Sequence, residues 1–307
     1  MNNEILNTIR NKLTYFNENS TDKNFKELQI YFDYYSLNFE GIINRSGYLK
    51  TDIGRIAIFS FTPVVDSKGD ILLFHGYLNH TGILANLIGF LTNIGYRVTT
   101  ADLPGHGLSD GERTGINNFY DYNIVLDTII QSINFNKNLI FIGHSTGCVP
   151  VLNMLLDGKQ YFSKVLFCAP LIKTIAFSLG LFSCQLIPGF VKYIPRIFRK
   201  ASNSKEFIDF QRYHDPLQDR VIATSWTRAY FKWIKTITNK HADTKTPVLV
   251  IQGTKDTVVN WRFNLRYLTS LFSNIQSSLI SGARHELFNE TDTYFSQLTE
   301  IIKIFLK

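Results

Sequence analysis

The amino-acid sequence predicts an α/β protein with a mostly parallel, eight-stranded sheet and helices on both faces. Short β-branched and aromatic runs alternate with helical patterns through most of the 307 residues, and this alternation is typical of parallel sheets covered on both sides. The alternation stops once, after the sixth strand, and resumes about 70 residues later, which indicates an insertion. Hydrophobic residues make up 45% of the chain and charged residues 19%, as in ordinary globular proteins.

The expected elements follow in chain order. A helix over 4–16 and a loosely attached segment precede the sheet, and Asp52-Ile53-Gly54 is a hairpin signal between the first two strands. Strands are expected at 47–51, 55–62, 70–74, 97–101, 139–142, 164–168, 247–251 and 277–280, and further helices near 83–94, 119–133, 148–156, 261–272 and 291–306.

These elements divide the chain into an N-terminal extension (1–46), a core (47–170 and 241–307) and a helical cap (171–240), in which no good strand is expected. An insertion after the sixth strand would lie over the carboxyl edge of the sheet. Ligands bind at that edge in open α/β sheets.

The composition also limits location and cofactors. The N-terminus has no basic region followed by an apolar stretch, and the three cysteines have no metal-type spacing, so we expect a cytoplasmic protein with free thiols, no metal and no cofactor. Thr174 to Val191 is uncharged over 18 residues, the lower limit for a membrane span. Its Gly180 and Pro188 favour a helix that lies on a surface or covers a pocket.

The segment Gly-His-Ser-Thr-Gly at 143–147 lies between a predicted strand and a predicted helix. A Gly-x-Ser-x-Gly in that context is a nucleophile elbow, in which a sharp turn lifts the serine hydroxyl above the sheet. Ser145 is therefore the candidate nucleophile.

A serine hydroxyl needs a base, and the base needs an acid that orients it. Asp256 and His285 follow the last two strands, so they leave the same sheet edge as Ser145 in the order Ser, acid, His. Alternatives stay open: Asp256 as a helix N-cap, Asp219 or Asp243 as the acid, and His285 as a loop histidine without a catalytic role.

Hydrolysis of an ester also needs amides that donate to the tetrahedral oxyanion. The N–H of Thr146, next to the nucleophile, is one candidate. The N–H of Tyr77, in the loop after the first parallel strand, is the other, since Gly76 lets the backbone approach a substrate. His75 is expected to orient this loop rather than react.

Two longer motifs, 75–82 (HGYLNHTG) and 102–113 (DLPGHGLSDGER), accompany these residues. With them the chain resembles α/β-hydrolases of the monoacylglycerol lipase and lysophospholipase group, also classed with S33 serine aminopeptidases. The resemblance implies Ser145 as nucleophile, Asp256 as orienter, His285 as base, and Tyr77 and Thr146 as oxyanion donors. It also implies that His106, Ser109 and Glu112 shape loops. The cap matches the lipases only loosely, and 214–217 (HDPL) is similar to bacterial lysophospholipase-like members.

The entire basic excess lies in the cap. Residues 171–240 hold 12 Lys and Arg against 4 Asp and Glu, and the rest holds 20 against 21, so the cap accounts for the formal charge of +7. An apolar run followed by Arg196, Arg199 and Lys200 suits contact with an anionic membrane. The alternative is a solvated basic face over an ordinary pocket. Nucleic-acid binding is disfavoured because no stacking or groove-reading motif accompanies the charge.

The sequence therefore predicts a cytoplasmic serine esterase that cleaves lipid esters, monoacylglycerol or lysophospholipid, through an acyl-enzyme. A short-chain carboxylesterase, thioesterase or peptidase could use the same residues. A non-catalytic lipid-binding protein of the same fold is the alternative from another class.

Overall fold

A computed structural model describes residues 1–18, 25–136, 138–175, 177–238, 240 and 244–307. Its ten strands are β1 Ile42–Thr51, β2 Gly54–Pro63, β3 Asp70–Phe74, β4 Arg97–Ala101, β5 Ile140–His144, β6 Lys164–Cys168, β7 Tyr193–Pro195, β8 Val221–Ala223, β9 Val248–Gly253 and β10 Ile275–Ile280. Eight of them form one sheet in the order β1-β2-β4-β3-β5-β6-β9-β10, while β7 and β8 form a separate pair.

The large sheet is mostly parallel, as predicted. β1 and β2 pair antiparallel, with Thr51 opposite Gly54 at the predicted hairpin turn. β2 also pairs antiparallel with β4, and the pairs from β4 through β10 are parallel. The carboxyl ends of β3, β5, β6, β9 and β10 therefore lie along one edge.

Helices cover both faces of the sheet. The α-helices in the described ranges are α1 Asn3–Lys12, α2 Lys26–Tyr34, α3 Ala85–Asn93, α4 Asp121–Ser132, α5 Val149–Leu156, α6 Phe177–Leu186, α7 Lys205–Asp209, α8 Thr224–Ile237, α9 Trp261–Leu271 and α10 Asp292–Leu306, of which α6, α7 and α8 belong to the insertion. Leu72 and Phe74 pack in one core with α4, α5, α8 and α9. Ile71 and Leu73, on the opposite side of β3, pack in a second core with α1, α2, α3 and α10. Since side chains alternate along a strand, burial on both faces explains the apolar runs of the parallel strands.

The two helices of the N-terminal segment, α1 and α2, pack against the core, contrary to the loose attachment expected from polar composition; residues 19–24 between them lie outside the described residues. Leu6, Ile9 and Tyr31 are at most 1% exposed and belong to the second core. The Tyr31 ring stacks on Phe59 of β2 at 5.8 Å between centroids. An apolar minority on one face of each helix is enough to bury it, which a count of polar residues does not reveal.

The insertion, residues 171–240, contains a strand pair that was not expected from the sequence. β7 and β8 pair antiparallel over three residues each, too few for an alternating pattern to be recognised. The uncharged stretch from Thr174 to Val191 holds α6, which is only ten residues long. Within the described ranges, no helix has the length and apolar character needed to cross a membrane.

Candidate active site

Ser145 lies at the turn between β5 and α5, as predicted. It opens a 3₁₀ turn, Ser145–Cys148, with φ of +51°, in the left-handed region that non-glycine residues rarely occupy. The turn is tight, since a Cβ built on Gly147 would lie 2.5 Å from the carbonyl oxygen of His75. Glycine at 147 therefore allows the start of the helix to pass against the end of β3.

The structure brings Asp256 and His285 together. Nδ1 of His285 lies 2.7 Å from Oδ2 of Asp256, and both residues are at most 5% exposed. The other oxygen of Asp256, Oδ1, accepts backbone N–H bonds from Val258 at 2.7 Å and Val259 at 3.0 Å. Because the carboxylate accepts the Nδ1 proton, Nε2 of a neutral His285 is left as a proton acceptor.

Asp256 and His285 each stabilise the charged form of the other. Burial alone would lower the pKa of His285, but the charge and hydrogen bond of Asp256, with nearby Glu286, hold that pKa above its ordinary value. Burial alone would raise the pKa of Asp256, but His285 and the two backbone donors hold it below its ordinary value. The carboxylate is thus ionised at neutral pH and stabilises a protonated imidazole.

Ser145 and His285 are linked through His144. Nε2 of His144 donates to the carbonyl oxygen of His285 at 2.9 Å, and the two rings are 4.8 Å apart. Burial lowers the pKa of His144, which keeps this ring neutral. The sequence motif does not single out His144, because the elbow pattern leaves the position before the serine variable.

His75 orients the loop after β3. Its Nε2 accepts the N–H of Leu103 at 2.9 Å, so its proton is on Nδ1, which donates to the carbonyl oxygen of Gly76 at 2.7 Å. Burial lowers the pKa of His75 to about 4. Both ring nitrogens are occupied, and the neutral ring holds the loop in place.

The two predicted oxyanion donors flank Ser145. Thr146 belongs to the first turn of the 3₁₀ segment, where amides have no intrahelical acceptor. The Tyr77 loop lies against the serine, since a Cβ on Gly76 would come within 3.2 Å of the Cβ of Ser145. The Tyr77 ring is fixed by stacking on Trp226 of α8, with centroids 3.9 Å apart, and by a 2.8 Å hydrogen bond to Thr114.

Side chains of the insertion hold the same loop, a feature that sequence reasoning also missed. Asp215 accepts from Nε2 of His80 at 3.0 Å and from the hydroxyl of Tyr35 in the N-terminal segment at 2.8 Å. Gln218 donates to the carbonyl oxygen of Leu78 at 2.7 Å. Three parts of the chain that are distant in sequence therefore meet at the loop that carries Tyr77. The resemblance of 214–217 to a known motif was the only sequence signal.

The second long motif shapes loops, as the resemblance implied. Asp102 accepts N–H bonds from Thr81 and Leu108, both at 2.7 Å, so it joins the two motifs. Gly107 has φ of +49°, and a Cβ there would lie 2.0 Å from Asp102. The Ser109 hydroxyl donates to the carbonyl oxygen of Asp102 at 2.6 Å, and His106 bonds locally to the carbonyl oxygen of Pro104. Glu112 instead accepts from the hydroxyl of Ser225 on α8, so it ties this loop to the insertion.

The structure places one of the alternative acids, Asp219, away from His285. Asp219 pairs with Arg113 at 2.6 Å, and Asp243 lies outside the described residues. The N-cap of α9 is Asn260, whose side chain accepts from Phe263. Asp256 is therefore the carboxylate that contacts His285.

One group of residue types that bind metals in other proteins is already engaged in hydrogen bonds in this structure. His144, His285 and Glu286 have candidate ligand atoms within 4.8 Å of one another. Glu286 accepts from Asn79 at 3.1 Å, and the two histidines make the bonds given above. This set favours a hydrogen-bond network rather than an ion site. Cys148, Cys168 and Cys184 are buried free thiols.

Comparisons with known proteins identify the family of the chain. Residues 65–292 match the model of a family described as serine aminopeptidase, S33. The monoglyceride lipase homolog of monkeypox virus is 24% identical over 240 residues, covering 75% of this chain and 86% of that protein. Phospholipase YtpA of Bacillus subtilis is 23% identical over 231 residues, covering 72% and 89%.

Solved structures show the same fold. The monoacylglycerol lipase of Paleococcus ferrophilus superposes with a TM-score of 0.69 at 22% identity, covering 81% of this chain and 98% of that one. A soluble variant of monoglyceride lipase from Saccharomyces cerevisiae, in complex with a substrate analog, gives a TM-score of 0.70 at 21% identity, covering 85% and 94%.

Proposed function

Because the chain belongs to the serine aminopeptidase S33 family and has the α/β-hydrolase fold, we propose that it hydrolyses carboxylic esters of lipids with Ser145 as nucleophile. The relatives named as monoglyceride lipase and phospholipase support lipid esters as the substrate class. The contact between His285 and Asp256 carries the proposal for the chemistry, since it leaves a proton-accepting nitrogen on a ring that lies 4.8 Å from that of His144, the residue before Ser145.

In the proposed mechanism, the Ser145 hydroxyl attacks the ester carbonyl while Nε2 of His285 takes its proton. The N–H groups of Tyr77 and Thr146 donate to the oxyanion, and each such donor typically contributes about 10²–10³ in turnover. His285 then protonates the leaving alcohol, which departs and leaves an acyl-enzyme. Water, deprotonated by His285, attacks the acyl group, and the fatty acid is released as Ser145 regains its proton.

The proposed function predicts release of fatty acid from a panel of monoacylglycerols and lysophospholipids and covalent labelling by a fluorophosphonate. Activity confined to short acyl chains would favour the carboxylesterase alternative, and activity confined to thioesters or peptides would favour those enzymes. A folded protein whose Ser145 stays unlabelled would support the non-catalytic lipid-binding alternative.

We also propose that the insertion acts as a cap that contacts membrane. An exposed apolar cluster covers α6 and the segment after it: Leu179, Phe182, Leu186, Phe190 and Ile197 are 61–85% exposed. Exposed Lys192, Arg199 and Lys200 lie within the same part of the chain. Clustered apolar side chains bordered by cations are suited to an anionic lipid surface.

Binding to vesicles tests this proposal. We expect co-sedimentation with phosphatidylcholine–phosphatidylglycerol vesicles to exceed that with phosphatidylcholine alone and to fall with salt, because each surface cation attracts anionic lipid. At about 1 kcal/mol for each lysine, the double variant Lys192→Gln/Lys200→Gln should weaken binding to the anionic vesicles about 30-fold. Phe182→Ser/Phe190→Ser should weaken binding to both kinds of vesicle. Binding that does not depend on lipid charge or on salt concentration would contradict the proposal.

A further inference from the structure

Three arginines of the insertion surround one aromatic ring. The guanidinium carbons of Arg196, Arg212 and Arg220 lie 4.3, 5.5 and 6.0 Å from the centroid of the Phe198 ring. The backbone brings them together, since the N–H of Arg196 donates to the carbonyl oxygen of Arg220 at 2.9 Å, next to the β7–β8 pair. We call these three residues the arginine cluster.

The cluster forms no salt bridge with a carboxylate in the part of the chain that the structure describes. Arg196 donates to the backbone oxygen of Asp219 at 3.2 Å, and Arg220 donates to that of Arg212 at 2.8 Å. Nε of Arg212 is buried without a hydrogen-bond partner. The Asp219 carboxylate itself is engaged by Arg113, so the cluster has donors that no protein anion satisfies.

The segment that follows Arg196 contacts the loops that carry the proposed catalytic residues. Just after Arg196, Arg199 donates to the carbonyl oxygen of Thr257, the residue after Asp256, at 2.9 Å. The N–H of Glu286, the residue after His285, donates to the carbonyl oxygen of Ala201 at 2.8 Å. Burial lowers the pKa of Arg196 to about 10, although Glu286, Asp219 and Tyr77 act to raise it.

Arg196 and Arg212 are partly buried, and Arg220 is exposed. Three guanidinium groups held around one ring repel one another, and a bound anion would offset that repulsion. The planar guanidinium presents paired N–H donors that match phosphate oxygens. We propose that the arginine cluster binds the phosphate of a substrate head group, so that the enzyme prefers lysophospholipids to uncharged monoacylglycerols. This inference rests on the proposed function and specifies its substrate.

Octanoyl esters, used as dissolved monomers, test the inference without a lipid surface. We compare kcat/KM for octanoyl lysophosphatidic acid and octanoylglycerol in the wild type and in Arg212→Gln/Arg220→Gln. The variant should lower the ratio of the two values at least tenfold, mainly by raising KM for the phosphate-bearing ester, because binding donors are lost and the reacting groups are kept. Lys232→Gln/Lys235→Gln removes the same charge from exposed positions on α8 and should leave the ratio unchanged.

Each other outcome would overturn the inference. An unchanged ratio would do so, as would an equal fall in the lysine variant, which would indicate a long-range charge effect. If inorganic phosphate inhibits hydrolysis of both esters equally and the ratio does not change, the cluster binds free phosphate. If the variant weakens only the binding to vesicles, the arginine cluster binds the lipid surface rather than the substrate. A wild type that hydrolyses neither ester would contradict the proposed function itself, whereas hydrolysis of octanoylglycerol with an unchanged ratio contradicts the head-group site alone.

Discussion

Replacing Ser145 with alanine is expected to lower kcat for lipid esters by a factor on the order of 10⁶. Alanine keeps the Cβ, so the turn with φ of +51° and its contacts with the Tyr77 loop are retained. What disappears is the oxygen that would form the acyl-enzyme. The remaining rate should come from substrate binding and the oxyanion donors, which alone give a modest acceleration over water.

Two measurements separate loss of the nucleophile from loss of the fold. Fluorophosphonate labelling should vanish in Ser145→Ala, while the thermal unfolding midpoint should stay at the wild-type value. Ser277→Ala, at an exposed position on β10, is the matched control and should keep both labelling and turnover. Substantial turnover by Ser145→Ala would mean that another group attacks the ester.

Much of the architecture was predictable because its signals are local. The parallel strands are apolar runs with helices between them, and strands such as β3, β4 and β6 have the predicted bounds. The hairpin between β1 and β2 followed from Asp52-Ile53-Gly54. The packing of α1 and α2 was not predictable in this way. Their few apolar residues become informative only when the surface of β2 that they cover is known.

The candidate site likewise has a part that was predictable from the sequence and a part that was not. Ser145, Asp256 and His285 each follow a strand of one parallel sheet, so chain order alone places them at one edge. The supporting contacts join residues that no spacing relates: His80 to Asp215 is separated by 135 residues and Tyr35 to Asp215 by 180. A buried polar contact of this kind depends on tertiary packing, and a single sequence carries no periodic signal for it.

Replacing Asp256 with asparagine is expected to lower kcat by about 10⁴-fold without unfolding the protein. The backbone N–H groups of Val258 and Val259 donate to Oδ1 of Asp256, so an asparagine would keep its carbonyl oxygen there. Its NH₂ would then face Nδ1 of His285 and donate to it. That places the imidazole proton on Nε2, where it blocks acceptance of the Ser145 proton.

The pH profile of the same variant distinguishes this explanation from a general loss of structure. In the wild type, His285 must be neutral to act as base, and Asp256 holds its pKa above the ordinary value. The profile of kcat/KM should therefore fall as the pH drops through that raised pKa. Without the carboxylate charge, burial dominates and lowers the pKa of His285, so the acid limb of the Asp256→Asn profile should move to lower pH.

Asp219→Asn is the control and should keep the wild-type acid limb and most of the rate. Near-normal turnover by Asp256→Asn, with a large loss in Asp219→Asn, would assign the acid to Asp219 instead.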